Sequence, residues 1–287
     1  MNERRVKHED LRQLCAHLLE HVGLRARDAL LVADSLVAAN LRGTDSHGVA
    51  RLPHYLNRIQ VGSIESRPVI KIVRSRGATA VVDGGHGLGQ LVNQFAIKLA
   101  MGRARKFGAG WVAIRNSSHC GALAYFGLQV ACANMIGILF SHVDPMVLPY
   151  GSRKPFHGTN PICIALPAAD EEVFCLDMAT SIVPWNIIAK DQIENKPIVR
   201  GLAVDAAGRE TTDPHRVHAL YPFGAHRGSG LGLAIDLLCS TLSGSPFGAH
   251  LPKMYGDLTQ HRKLGGLVGA FDVAAFTSVV TFKRRVT

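Results

Sequence analysis

The sequence predicts an α/β fold, and two observations carry that prediction. Apolar residues switch along the chain between helical spacing and short strand-like runs, with no internal repeat period. The composition, 47% hydrophobic and 19% charged over 287 residues, also supplies enough apolar side chains for one sizeable core or for two small domains sharing one.

The elements follow in order. Leu11, Leu14, Leu18 and Val22 recur at helical spacing over residues 8–23, and Gly23 supplies a stop. A second helix runs from Ala26 to Leu41 and ends at Gly43, and Thr44–Gly48 reads as a polar loop. A helix beginning near Val49 places Arg51 and Tyr55, four residues apart, on one face. Val69–Val73 and Ala78–Val82 read as strands around a turn at Ser75-Arg76-Gly77. The glycine-rich stretch Gly84–Gly89 leads into a helix ending near Arg105. Trp111–Ile114 is a short strand feeding a polar loop, Arg115–Gly121, and then a helix from Ala122 to Asn134. Ile136–Ser141 is a strand, and Ile162–Leu166 and Val173–Leu176 are a pair separated by an acidic turn. Gly228–Leu242 is an apolar helix with Asp236 inside it, and Leu267–Phe271 is the last strand.

Several function classes lose support. The N-terminus, MNERRVKHEDLRQ, lacks the apolar stretch of a secretory signal, and no run approaches the roughly 18 uncharged apolar residues of a membrane span. Six scattered cysteines without a CxxC pair suit reduced thiols and a cytoplasmic protein. The net charge of +10 comes from dispersed Lys and Arg, with no nucleic-acid motif, and favours anionic small molecules instead. There is no GxGxxG between a strand and a helix, no Walker A loop, no HExxH and no GxSxG. The fourteen histidines do not fall at metal-ligand spacing, so no metal is expected.

Five clusters could carry chemistry, and each has a plain structural alternative. Asn116–Gly121 joins a strand to a helix and holds His119, which is suited to moving a proton near neutral pH or to packing as a cap. Asp45–Arg51 ends in Arg51, able to grip a carboxylate bidentately or to pair with a local acid. His157–Pro161 joins an irregular stretch to a strand, where polar Thr-Asn before Pro favours a turn, and its plain alternative is only that turn. Leu176–Ser181 follows a strand and either faces a cofactor or caps a helix. His226–Gly232 either admits an anion at a helix N-terminus or packs tightly through small residues.

Taken together and in this order, the clusters resemble the malate/L-lactate dehydrogenase family, which lacks the Rossmann fold. The motifs are DSHGVARLPHY, NSSHCGALAYF, HGTNPICIALP, LDMATS and GSGLGLAIDLLCSTLSG, and the likeness runs from near the N-terminus to about Arg285. Within the family, His142–Gly151, Thr212-Asp213-Pro214 and Met254–Leu258 look most like ureidoglycolate dehydrogenases.

The resemblance implies a malate/L-lactate (L-sulfolactate) dehydrogenase-like α/β fold on a mixed sheet. It implies an N-terminal helical, substrate-side and dimerisation segment over 1–75, an NAD(P)-binding domain over 76–265 and a C-terminal segment over 266–287. It further implies a homodimer, NAD or NADP as cofactor, and a small 2-hydroxy acid of the ureidoglycolate, malate or lactate type as substrate. His119 would be the acid/base. Ser46, His47, Arg51, Tyr55, Asp144, Met146, Thr159 and Asn160 would serve the substrate, and Val143, Asp177, Met178, Ala179, Arg227 and Gly228 the cofactor.

Three departures qualify this. The family usually has Lys-Gly-Tyr-Gly where Arg227-Gly228-Ser229-Gly230 stands here. Ureidoglycolate dehydrogenases can carry serine at the position of Val143. Relatives continue for several dozen residues beyond Val286, including a loop that helps to hold the cofactor. The competing expectation is therefore a catalytically impaired dinucleotide-binding or dimerisation homologue.

Overall fold

A computed structural model describes residues 5–169 and 173–287. The acidic turn read at 170–172 lies outside the described residues. Among the described residues, eight α-helices and nine strands run in the order α1 (His8–His21), α2 (Ala26–Leu41), α3 (Leu52–Gln60), β1 (Lys71–Arg76), β2 (Thr79–Asp83), α4 (Gly89–Phe107), β3 (Ala109–Ser117), α5 (Ala124–Cys132), β4 (Met135–Ser141), β5 (Ile162–Leu166), β6 (Phe174–Met178), α6 (Trp185–Glu194), β7 (Ala203–Val204), β8 (Ala219–Leu220), α7 (His226–Thr241), β9 (Leu264–Asp272) and α8 (Val279–Val286).

Seven strands form one mixed sheet in the order β1-β2-β3-β9-β4-β5-β6. The β2–β3 pair is parallel, with Thr79 opposite Trp111 and Asp83 opposite Arg115, and the other strand pairs described in this sheet are antiparallel. The last long strand, β9, inserts antiparallel between β3 and β4, placing Val112 against Val268 and Leu139 against the same residue. Side-chain alternation then sorts the two faces. Val112, Ile114, Val268 and Ala270 turn toward α4 and α5, where Val92, Ala96, Ile97, Phe126 and Val130 complete the core. The opposite face meets α7, and a Cβ on Gly265 would fall 2.3 Å from the Cys239 carbonyl.

Helices α1, α2 and α3 build a second core around Leu19, Val32, Leu36, Leu52, Tyr55 and Ile59. The helical period of α1 is as expected, but its buried face is offset. Cys15, Ala16 and Leu19 point inward, while Leu14 and Leu18 are 56% and 40% exposed. Thr44–Gly48 is not an open loop, because Asp45–His47 makes a 3₁₀ turn. The hairpin turn falls at Gly77-Ala78, later than expected, because Gly77 supplies the positive φ of +49°. Arg115–Ser117 belongs to β3 rather than to a loop, since Ser117 still pairs with Leu264 of β9.

Asp83 ties the end of β2 to the end of β3. Its carboxylate accepts from the Gly85 amide, from Arg115 Nε and from Asn116 Nδ2, each at 3.0 Å. Burial alone would raise its pKa, but these three donors outweigh burial and hold it low. That stabilisation is present above the ordinary aspartate pKa and lost as pH falls through the depressed folded value. Asp83→Asn should cost about 1–2 kcal/mol at neutral pH and flatten the loss of stability on acidification. Thermal melts of both proteins at neutral and acid pH check this.

Candidate active site

The cavity opens where the three-helix layer meets the ends of β3 and β6. Three segments converge there: the 3₁₀ turn and start of α3, the loop after β3, and the strand end 177–179. Its volume is about 240 Å³.

The loop after β3 is pinned in three ways. Ser118 Oγ donates to the Gly87 carbonyl at 3.0 Å and accepts from the Gly89 amide at 3.2 Å. Gly89 must be glycine for this docking, because a Cβ there would sit 2.3 Å from the Ser118 carbonyl and 2.7 Å from the Cys120 backbone. Gly121, at φ +74°, then turns the chain into α5. Between these points His119 is held by its Nδ1, which lies 2.6 Å from the Tyr55 hydroxyl and 3.4 Å from the Gly121 amide. With Nδ1 occupied, Nε2 remains for the cavity that the imidazole lines.

Arg51 sits at the mouth of α3. Its Nε donates to the Ser46 carbonyl at 2.8 Å. One N–H of each terminal nitrogen reaches Tyr255 Oη and Asn186 Oδ1. A guanidinium has five N–H donors, so one on each terminal nitrogen is left, the pair that a carboxylate takes bidentately. His47 stacks on His119 with ring centroids 5.5 Å apart and 24° between planes. Its Nδ1 is 2.8 Å from Ser46 Oγ.

Electrostatics keep both rings neutral. Burial and the Arg51 charge bring the His47 pKa down to about 4. Burial first, with the fixed charges of Arg51 and Arg262 added, holds His119 well below the ordinary histidine value. A neutral imidazole beside a guanidinium can take a proton from a hydroxyl whose own substrate is anchored by that guanidinium.

Val143, Met146, Pro161, Met178 and Ala179 also line the cavity and make part of its surface apolar. Asp177 lines the cavity as well, but its carboxylate is spent on the Ala124 amide at 2.7 Å, at the start of α5.

The structure thus gathers Ser46, His47, Arg51, His119, Val143, Met146, Thr159, Asp177, Met178 and Ala179 around one cavity. Five expected residues are elsewhere. Tyr55 is fully buried behind His119 and does not reach the cavity. Asp144 pairs with buried Arg262 and accepts from the Met254 amide at 3.1 Å, so it fixes the 252–262 strap. Asn160 accepts from the Val143 amide at 3.1 Å and donates to the Gly232 carbonyl at 2.9 Å, which joins two walls from within. Arg227 is exposed on the first turn of α7. Gly228 packs under Phe223, whose carbonyl a Cβ would meet at 2.2 Å.

Sequence reasoning missed Arg42, Trp185, Asn186 and Tyr255 as lining residues. Pro184 ahead of Trp185 is a helix-start signal that marks α6. Buried Arg58 explains how Tyr255 arrives. Its guanidinium donates to the carbonyls of Lys253, Met254, Leu258 and Gln260, at 2.8–3.4 Å, and so staples the strap to α3. Among the described residues no three metal-ligating side chains converge.

Residues 6–287 match the family model described as malate/L-lactate dehydrogenase. The chain is 35% identical over 283 residues to the ureidoglycolate dehydrogenase (NAD(+)) of Escherichia coli K12, covering 99% of this chain and 81% of that protein. It is 36% identical over 293 residues to the malate dehydrogenase of Pyrococcus abyssi, covering 99% and 80%. The solved sulfolactate dehydrogenase of Methanocaldococcus jannaschii superposes with a TM-score of 0.90 at 36% identity, over 98% of this chain and 81% of that one. On these grounds the chain belongs to the malate/L-lactate dehydrogenase family.

Proposed function

We propose that this protein is an NAD(P)-dependent oxidoreductase that moves a hydride between the nicotinamide and C2 of a small 2-hydroxy acid. The observation that carries the reading is the pairing in one cavity of a neutral imidazole, held by its Nδ1, with a guanidinium that keeps two N–H groups free. The names of the relatives support the substrate class, with ureidoglycolate, malate and lactate as the first candidates.

The residues present fit the cofactor. The apolar side chains of Val143, Met146, Met178 and Ala179 line the same cavity as the imidazole and offer a surface on which an aromatic ring can pack. The bound nicotinamide supplies the hydride chemistry. Arg51 grips the substrate carboxylate, which fixes C2 relative to Nε2 of His119. In oxidation Nε2 takes the proton of the 2-hydroxyl, and in reduction the imidazolium returns it. His47 and Thr159 line the space beside the 2-oxygen and the substrate tail. A homodimer in the cytosol completes the proposal, supported by exposed Phe174 and Leu176 on edge strand β6 and Ile182 and Ile187 nearby.

A panel of 2-hydroxy and 2-oxo acids with NAD and with NADP, followed at the nicotinamide absorbance, tests the reading. NADH binding by fluorescence without turnover on any member would replace it with an inert binding homologue.

The low pKa of His119 also sets a pH dependence. The base form persists as pH falls below the ordinary histidine value. The acid limb of kcat/KM for oxidation should therefore lie below about 6.5. In kcat it should lie higher, because a bound carboxylate neutralises Arg51, one of the charges that depress His119. Profiles of both parameters from pH 4 upward (roughly two units either side of the ordinary histidine value) check the order of the two limbs.

A further inference from the structure

We propose that Cys163 and Cys175 form an oxidant-sensitive dithiol at the active-site cavity: hydrogen peroxide reacts at Cys175, Cys163 resolves the product to a disulfide, and the crosslink slows turnover. The thiol chemistry stands apart from the dehydrogenase reading, and only the turnover readout rests on it.

The two residues sit on neighbouring antiparallel strands. Cys163 of β5 lies opposite Asp177, and Ala165 lies opposite Cys175 of β6. Side-chain alternation puts both thiols on one face as diagonal neighbours, and their Sγ atoms are 4.0 Å apart. Cys163 is 0% exposed and packs against α5, where a Cβ on Gly127 would fall 2.6 Å from its Sγ. Cys175 is half-buried and lines the cavity together with Arg42 and Asp177. A small oxidant entering the cavity therefore meets Cys175 first.

The surroundings favour a thiolate at that position. The Cys163 S–H donates to the Cys175 sulfur, and the Arg42 charge adds to this. Together they outweigh burial and hold the Cys175 thiol below its ordinary value, while Cys163 is pushed up. Other buried thiols have no such help. Burial pushes Cys120 up to about 12 and Cys239 well above the ordinary thiol value.

The steps balance. The Cys175 thiolate attacks one peroxide oxygen, so that an S–O bond forms, the O–O bond breaks, and the departing hydroxide takes up the thiol proton as water. Cys175 is then a sulfenic acid. The Cys163 sulfur attacks it, the S–S bond forms, the S–O bond breaks, and the hydroxide leaves with the Cys163 proton as a second water. Two thiols and one peroxide give one disulfide and two waters. The sulfurs must close to about 2.0 Å. Strand β6 is at the sheet edge and pairs with β5 alone, so it can yield. It carries Asp177, which holds the start of α5, and runs into Met178 and Ala179 of the cavity lining. Drawing β6 toward β5 therefore disturbs the site.

The test uses the full chain with Cys132→Ser, which removes the exposed thiol. After hydrogen peroxide, a non-reducing peptide map should show one Cys163–Cys175 crosslink with a mass loss of about 2 Da. Turnover should fall about tenfold, the scale of a small displacement at a site, and dithiothreitol should restore both. In Cys163→Ala the same dose should leave Cys175 as a sulfenic acid that dimedone traps. Both thiols still free after peroxide, or Cys175 oxidised to a sulfinic acid without a crosslink, overturns the proposal. A crosslink with turnover unchanged overturns its link to the site. If Cys163→Ala does not fold, the map of the parent chain decides alone. That map needs no turnover, so absence of activity on every 2-hydroxy acid would defeat the dehydrogenase reading and leave the dithiol standing.

Discussion

His119→Ala is expected to turn over about 10²–10⁴-fold more slowly than the wild type, the range that a positioned general acid/base contributes, while NADH affinity stays within a few fold. The expectation follows from how little else in the cavity can take a proton. His47 is the nearest alternative, but its Nδ1 contact with Ser46 Oγ commits that ring to another partner. The Asp177 carboxylate is engaged by the Ala124 amide at the start of α5. Tyr55 reaches Nδ1 only, from behind the ring. The alanine leaves the apolar wall of Val143, Met146, Met178 and Ala179 untouched, so ring binding persists. Single-turnover rates with saturating cofactor isolate the chemical step from product release. A variant within tenfold of the wild type at every pH would take His119 out of the role and leave the cavity as a binding site only.

The parts of this molecule legible in the sequence are those fixed by local rules. Helices α1, α2, α4 and α7 showed in apolar periodicity and in glycine stops, and strands β3, β4 and β5 showed as short apolar runs. The orientation of α1 did not show, because the partner that decides which leucines are buried is α2, not α1 itself. Helix α6 and the short β7–β8 pair lack a strong period and are held by packing around Val147, Ile188 and Leu220.

At the site, His119 and Arg51 were legible because histidine after a strand and arginine at a helix start carry recognisable chemistry. Asn186 and Tyr255 were not. Their importance arises from contacts to Arg51 that span 135 and 204 residues of sequence. Asp144 and Asn160 show the converse. Polar residues in a motif shared with dehydrogenases here spend their hydrogen bonds on the frame and not on the cavity.

Arg51→Ala should lower kcat/KM for 2-hydroxy acids about 10²–10³-fold, from the loss of a bidentate charged contact in a partly buried site. Most of the loss should appear in KM, because the carboxylate is gripped in both the ground state and the transition state. Part should appear in kcat, since the same grip orients C2 against Nε2. Arg51→Lys should recover little. An ammonium cannot keep the contacts to the Ser46 carbonyl, Tyr255 and Asn186 while also offering two parallel donors. The alanine has a second effect of opposite sense. It removes a charge that depresses both His47 and His119, so the acid limb of the residual activity should move up toward the ordinary histidine value. The two effects separate on a substrate without a carboxylate. A 2-hydroxy amide should be turned over poorly by the wild type and by Arg51→Ala at comparable rates, because neither can clamp it. If the variant loses as much on the amide as on the acid, the guanidinium serves the fold of the α3 entrance and not the substrate.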